Sequence, residues 1–220
     1  MSSHHIVRDD QEPALIIANG EACNIDLMHQ LLEWSPLVVV LDSAIDRVLE
    51  LGIKIDVLLG DFDRGFNSEK YKELQYPLEI IPYSCQNSTD LEKAFHFLIE
   101  RGHKMANVIW ATGKRMDHTL NNITCIAKFS QQLEIVLFDD YSKIFVLPKT
   151  YKKWYTKDTV ISLMPIGKVE GITTKNLVYP LQNDSLELGV RTGNSNSVLE
   201  DGIVEITYER GHLLMMECWD

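Results

Sequence analysis

The strongest constraint on the fold is a change of hydrophobic pattern partway along the chain. Up to about residue 140, short apolar runs alternate with stretches that carry apolar residues at helical spacing. This alternation predicts parallel strands joined by right-handed helical crossovers, because each helix must return the chain to the same end of the sheet. We therefore predict a Rossmann-like α/β domain with a mostly parallel sheet over residues 1–145.

After Tyr141 the chain shows only short apolar runs separated by Gly, Asn, Asp and Pro. This pattern favours antiparallel strands in a β-sandwich or barrel. We place the boundary within the polar and aromatic residues 141–156 and predict an all-β sandwich domain over residues 146–220. Residues 189–197 form a Gly-, Ser- and Asn-rich turn, for which a plain hairpin loop is the favoured interpretation. A loop that offers hydroxyl and amide groups to a polar substrate is the alternative. The strands predicted here are 144–147, 160–164, 171–174, 186–190, 203–208 and 212–217.

Composition narrows the class of protein. The 220 residues carry a formal net charge of -11 and no dense run of Lys or Arg, which argues against nonspecific nucleic-acid binding. The apolar runs are too short to span a bilayer, so no membrane partner is expected. The four cysteines lie far apart with no C-x-x-C pair, which suits a reducing cytoplasm. We expect a cytoplasmic protein.

An acidic loop follows the third predicted strand. The apolar run from Val57 to Leu59 ends at Gly60, and Asp61 and Asp63 follow one residue apart. Two neighbouring carboxylates repel each other unless a cation or hydrogen bonds offset their charge. Mg²⁺ is usually held by one or two carboxylates together with substrate phosphates, so the pair predicts a Mg²⁺ site. A solvated turn before the next helix is the alternative.

Further polar residues follow other predicted strands. Asp42 ends the second strand, and Asp90 begins a helix in which Thr89 and Glu92 match a capping box. Helix capping and compensation of the helix dipole account for Asp42 and Asp90 about as well as ligand binding does. Parallel strands bring their carboxyl ends to one edge, where ligands bind, and this convergence predicts a site.

A cationic loop follows the fifth predicted strand. Arg115 presents a planar fork for phosphate oxygens, Lys114 presents a point charge, and Gly113 lets the backbone approach a ligand. A surface loop with an ion pair between Arg115 and Asp117 is the plain alternative. With the carboxylates, this loop suits phosphoryl-type transfer from a Mg-nucleotide to a second substrate. Composition does not determine which bond is cut.

Four motifs together resemble the thiamine pyrophosphokinase (thiamine diphosphokinase) family. They are residues 60–63, 88–94, 113–123 and 195–196, in the family's order, and the likeness covers nearly the whole chain. The resemblance implies Mg²⁺-dependent transfer of the diphosphate of ATP to the hydroxyl of thiamine, with release of AMP. It also implies an α/β nucleotide domain, a C-terminal β-sandwich and a homodimer with its sites at the subunit interface.

The resemblance further implies a role for individual residues, carried over by motif. The residues expected to be catalytic and to hold the metal are Asp61, Asp63 and Asp90. Those expected to bind the nucleotide are Asp42, Thr89, Arg115 and Asp117. Those expected to face thiamine are Ser195 and Asn196. The chain departs from the family pattern where Ser43, Ala44 and Lys114 stand in place of usual glycines.

Two other functions fit the same residues. One is a pyrophosphokinase for another alcohol, such as a hydroxymethylpterin. The other is a module that binds thiamine or a nucleotide without catalysis. Release of AMP in the presence of Mg²⁺ would exclude the second alternative.

Overall fold

The computed structural model describes residues 12–62, 67–83 and 87–219. These residues fall into two compact units. The first contains the residues up to Cys125 and Phe129–Asp140; the second contains Ile126–Lys128 and the residues from Tyr141 onward. Across the described ranges, the helices are too short or too polar to cross a bilayer.

The described part of the first unit is built on six strands. Their order in the sheet is β4-β3-β2-β1-β5-β6, and every pairing is parallel, as the alternation of strands and helices predicts. Each residue of β1, β2 and β3 is buried, which explains why these strands are continuous apolar runs. The strands are β1 (Ala14–Ile17), β2 (Val38–Leu41), β3 (Val57–Gly60), β4 (Glu79–Pro82), β5 (Met105–Ile109) and β6 (Glu134–Phe138).

Among the described residues, five helices connect or follow these strands. Three begin at side chains that accept a hydrogen bond from the first turn, namely Asn24, Asn67 and Thr89. Thr89 and Glu92 form the predicted capping box, with the Thr89 N–H donating to Glu92 Oε2 at 3.0 Å. The helices are α1 (Ile25–Leu32), α2 (Ile45–Glu50), α3 (Ser68–Leu74), α4 (Asp90–Glu100) and α5 (Met116–Phe129), and a 3-10 turn, Asp42–Ala44, precedes α2.

The second unit is rich in strands, and its pairings are antiparallel. Strand β9 pairs with four others: β10, β11, β12 and β13. Strand β13 lies between β7 and β9, and β12 lies between β9 and β8. The strands are β7 (Ser142–Val146), β8 (Thr150–Tyr155), β9 (Val160–Lys175), β10 (Asp184–Glu187), β11 (Gly193–Ser197), β12 (Gly202–Thr207) and β13 (Arg210–Cys218).

Two local predictions for this half were wrong, and one strand was not predicted. Residues 160–164 and 171–174 were predicted as two strands but belong to one, β9. This strand changes partners near Gly167 and Gly171, whose positive φ angles of 69° and 72° let it bend without ending. Strand β8, within residues 141–156, was not predicted; it pairs along its whole length with β12. The predicted loop at 189–197 contains β11, which pairs with β9.

Candidate functional site

The carboxyl ends of the parallel strands open into one cavity of about 540 Å³ in the first unit. Its walls come from the segments that follow β1, β2, β3 and β5 and from the start of α4. Asp61, Asp90 and Arg115 therefore converge at this edge as predicted, whereas Asp42 and Asp117 are not among the lining residues. The lining residues with polar side chains are Asn19, Ser43, Asp61, Ser88, Thr89, Asp90, Lys93, Lys114, Arg115, His118 and Asn122.

Three of the predicted carboxylates influence one another here. Asp42 accepts hydrogen bonds from the N–H groups of Ser43 at 2.5 Å and Phe62 at 3.3 Å. Burial raises the pKa of Asp42, the charges of Asp90 and Asp61 raise it further, and the two hydrogen bonds only partly oppose this. The structure therefore gathers negative charge at the ends of β2, β3 and the start of α4.

Gly60, the last residue of β3, makes room for this arrangement. A Cβ on Gly60 would lie 2.2 Å from Oδ2 of Asp42, well inside van der Waals contact. The glycine thus lets the Asp42 carboxylate lie over the end of the neighbouring strand.

Lys93 is a buried cation that was not predicted from the sequence as a site residue. Its side chain lies one helical turn after Asp90, and its Nζ donates to Asp90 Oδ1 at 2.8 Å. Burial alone lowers the pKa of Lys93, but the hydrogen bond to Asp90 and the charges of Asp90, Asp61 and Asp42 outweigh it and leave the pKa raised. The available signal was the spacing of three residues between opposite charges on a helix.

The donor set fits a hard divalent cation. Asp61 and Asp90 line the cavity and supply carboxylate oxygen ligands, and Asp42 adds negative charge beside them. Mg²⁺ completes such a set with phosphate and water oxygens. In the described ranges, no three acidic, His or Cys side chains could hold a metal by themselves. The predicted ligand Asp63 lies outside the described residues.

Arg115 and Asp117 form the ion pair that was the plain alternative for this loop. Arg115 Nε donates to Asp117 Oδ1 at 3.1 Å, and a second nitrogen donates to Oδ2. The bond from Arg115 lowers the pKa of Asp117 to about 2. Both side chains are largely exposed, and Arg115 lines the cavity. The pair is therefore compatible with ligand contact by Arg115.

The segment after β1 forms a wall that is fastened from two sides. Arg47 donates to Asn19 Oδ1 and to the Gly20 carbonyl, both at 3.0 Å, and its guanidinium stacks 4.3 Å above the Trp110 ring. Gly20 N–H donates to the Trp110 carbonyl, and a Cβ on Gly20 would lie 2.2 Å from the Thr112 carbonyl oxygen. The sequence indicated this wall only through its Asn-Gly turn, and no sequence pattern indicated the contacts of Arg47.

Ser195 and Asn196 lie in β11 of the second unit. Ser195 is exposed, has a φ of 53°, and donates its N–H to Ser162 Oγ at 2.9 Å. Asn196 is buried, and its side-chain amide exchanges hydrogen bonds with the backbone of Tyr179 at 2.8 and 3.0 Å. The amide of Asn196 thus holds local backbone in place, and contact of either residue with a substrate stays a prediction.

Sequence comparison identifies similar proteins for both units. The family model described as thiamin pyrophosphokinase, catalytic domain, matches residues 28–137, and that described as thiamin pyrophosphokinase, vitamin B1 binding domain, matches residues 147–213. The chain is 34% identical over 169 residues to thiamine pyrophosphokinase 1 of Oryza sativa subsp. japonica, which covers 70% of this chain and 62% of that protein. The match thus spans less than two thirds of the rice protein.

Two bacterial proteins match over nearly their whole length. The chain is 25% identical to the thiamine pyrophosphokinase of Bacillus subtilis over 215 residues, covering 93% of this chain and 98% of that protein. The crystal structure of thiamin pyrophosphokinase from Geobacillus thermodenitrificans superposes with a TM-score of 0.77 at 26% identity, covering 94% of this chain and 97% of that one.

Proposed function

The chain belongs to the thiamin pyrophosphokinase family, and on this premise we propose that it transfers the diphosphate group of ATP to the hydroxyl of thiamine. The products are thiamine diphosphate and AMP. The observation that carries the proposal is the cavity at the strand ends, which Asp61, Asp90 and Arg115 line together. This combination suits a reaction in which charge on a phosphate chain must be positioned and balanced.

In the reaction, the oxygen of the thiamine hydroxyl forms a bond to the β-phosphorus of ATP. The bond between that phosphorus and the oxygen bridging it to the α-phosphorus breaks, and AMP leaves with that oxygen. The hydroxyl proton passes to a carboxylate of the acidic cluster. Arg115 and the N–H groups at the start of α4 orient phosphate oxygens.

Asp61, Asp63 and Asp90 are the residues proposed to hold Mg²⁺. When bound, the ion offsets phosphate charge and polarises phosphate oxygens. Lys93 keeps the Asp90 carboxylate in position through its hydrogen bond. Asp42, Thr89, Arg115 and Asp117 are proposed to bind the nucleotide, and Ser195 and Asn196 to face thiamine.

The same proposal assigns a task to each half of the chain. Residues 1–145 are taken as a Rossmann-like nucleotide-binding catalytic domain and residues 146–220 as a β-sandwich that binds thiamine. The matched vitamin B1 binding model supports the second assignment. We further propose a cytoplasmic homodimer with its sites at the subunit interface.

Product analysis tests the proposal directly. Purified protein is incubated with ATP, Mg²⁺ and thiamine, and the products are resolved by chromatography, with a reaction lacking Mg²⁺ as the control. Equal amounts of AMP and thiamine diphosphate are expected only with Mg²⁺. ADP with thiamine monophosphate would contradict the proposed bond cleavage. Binding of ATP or thiamine without any product would instead indicate a binding module or another acceptor alcohol.

A further inference from the structure

Three cationic side chains line the cavity, and two of them already face a carboxylate. Lys93 is bonded to Asp90, and Arg115 is bonded to Asp117. Lys114 differs, because in the part of the chain that the structure describes its ammonium bonds only to Asn19, at 3.1 Å to the carbonyl oxygen and 3.5 Å to Oδ1. Both of these partners are uncharged, so no ion pair with another described residue neutralises the positive charge of Lys114.

The backbone at Lys114 is in a conformation that non-glycine residues rarely adopt. Its φ is 51°, directly after Gly113 with a φ of 75°. The surroundings hold this turn in place: the Gly113 carbonyl accepts from Thr119 Oγ1 at 3.2 Å, and a Cβ on Gly113 would lie 2.5 Å from Cβ of Glu21. A strained side-chain-bearing residue at a ligand cavity is a reason to look for a function of that side chain.

We propose that Lys114 binds the polyphosphate chain of the nucleotide directly. The inference rests on the proposed function and adds a phosphate-binding residue to it. The Asn19 oxygens hold the ammonium at the cavity wall, and phosphate oxygens replace them when the nucleotide binds. This exchange converts a bond to a neutral oxygen into a charge-assisted one. The charges of Lys93 and Arg115, by contrast, are already partly offset by the carboxylates of Asp90 and Asp117.

Direct titration of ATP into the protein by calorimetry, with Mg²⁺ present and thiamine absent, tests this role. Lys114→Met keeps the strained backbone and removes the charge. Lys114→Gly removes the charge and relieves the strain, since glycine adopts positive φ freely. Lys114→Arg keeps the charge. Lys72→Met removes a positive charge from α3, outside the cavity lining, and serves as the matched control.

We expect Lys114→Met and Lys114→Gly each to raise the Kd for ATP by about tenfold or more, the scale of a lost charge-assisted hydrogen bond. Raising the NaCl concentration should weaken ATP binding less in these variants than in the wild type. The Kd for ATP of Lys114→Arg should stay within about threefold of the wild-type value, and that of Lys72→Met within about twofold. Thermal melting of each variant verifies that it is folded.

A Kd for Lys114→Met within about twofold of the wild type would overturn the inference. The same holds if only Lys114→Gly weakens binding, because the backbone would then be the cause. These outcomes are separate from the test of the reaction. A wild-type protein that forms thiamine diphosphate while Lys114→Met binds ATP normally refutes only the role of Lys114. A wild-type protein that binds ATP through Lys114 but forms no product refutes only the proposed reaction.

Discussion

Asp61 directly follows the buried strand β3. It is exposed and lines the cavity. Its charge acts on both Asp42 and Lys93, so it belongs to the same electrostatic cluster as they do. A carboxylate in this position is suited to hold a cation against phosphate oxygens. Replacing it by an amide keeps its shape and removes its charge.

We predict that Asp61→Asn lowers kcat for thiamine diphosphate formation by roughly 100-fold or more, which corresponds to about 3 kcal/mol of lost transition-state stabilisation. Circular dichroism and thermal melting should show an intact fold. Asp26→Asn, an exposed carboxylate in the first turn of α1, is the matched control and should keep its activity. Near-normal turnover by folded Asp61→Asn would remove this residue from the reaction.

Gly60 is a position where a single methyl group is expected to disturb the cluster. Gly60→Ala places a Cβ 2.2 Å from Asp42 Oδ2, so the Asp42 side chain must move and lose its bond to Phe62 N–H. We predict a loss of about 1–3 kcal/mol in the free energy of unfolding, measured in urea, together with reduced turnover. Adding Asp42→Gly should recover part of the stability and none of the turnover. Unchanged stability of Gly60→Ala would show that the Asp42 position is not needed.

Which site residues could be predicted from sequence depended on their place in the chain. Asp42, Asp61 and Asp90 follow or precede regular elements, so the parallel topology alone indicated that they converge. Lys93 and Arg47 lie within helices, where their spacing is also that of ordinary surface charges. Their contacts with Asp90 and with Asn19 depend on how the elements pack, which the sequence does not reveal.

At the scale of elements, the parallel strands were predictable and the antiparallel ones less so. The buried strands of the first unit are continuous apolar runs, because both of their faces are covered. Strand β8 has four exposed residues out of six, and β11 consists of Gly, Asn and Ser. Their strand character comes from pairing with β12 and β9, so a local pattern does not reveal it.

A chain of hydrogen bonds connects strands β8 and β13. The hydroxyls of Tyr151 and Tyr155 lie 2.7 Å apart, Tyr155 donates to Glu217 Oε1, and Lys153 Nζ donates to the same oxygen at 2.8 Å. Burial raises the pKa of Glu217, but the bonds from Lys153 and Tyr155 outweigh it and leave the pKa below its ordinary 4.5. The ionised form of Glu217 is therefore favoured in the folded state.

A pH dependence follows for Glu217. Because its pKa is lower in the folded than in the unfolded chain, its contribution to stability is present above the ordinary carboxyl pKa and is lost as the pH falls through the lowered value. We predict that Glu217→Gln lowers the free energy of unfolding by about 2 kcal/mol at pH 7, and that the difference shrinks below about pH 4.5. Urea unfolding at several pH values measures this. Glu200→Gln, at an exposed position, should show no such trend. A difference independent of pH would contradict the role of its charge.

At the scale of the whole molecule, the second unit carries an apolar surface on its β8–β12 ribbon. Trp154 and Ile203 are directly opposite each other in the pairing and are 58% and 56% exposed. Side chains in register on one face lie within contact distance, so together they form an exposed apolar patch. Such patches commonly mark protein–protein contacts.

We predict that the protein sediments as a dimer, with about twice the 25.2 kDa mass of the chain, and that this patch contributes to the contact. The double variant Trp154→Lys with Ile203→Lys should shift the species toward monomer in analytical ultracentrifugation. Lys175→Glu, an exposed charge change at the end of β9, should leave the mass unchanged. A wild-type monomer would refute the dimer, and a dimeric double variant would refute the assignment of the patch.

The position of β13 between β7 and β9 affects how the second unit can fold while the protein is synthesised on the ribosome. Strand β13 follows both β7 and β9 in the chain, so the middle of this sheet is supplied by residues that are synthesised after both of its neighbours. The parallel strands of the first unit are all complete by Phe138 and can pair much earlier. The edges of β7 and β9 that pair with β13, by contrast, stay unpaired in the nascent chain until β13 has left the ribosomal exit tunnel. A translation arrest shortly before that point would therefore leave β7 and β9 without β13 between them, and their unpaired edges could pair with other chains.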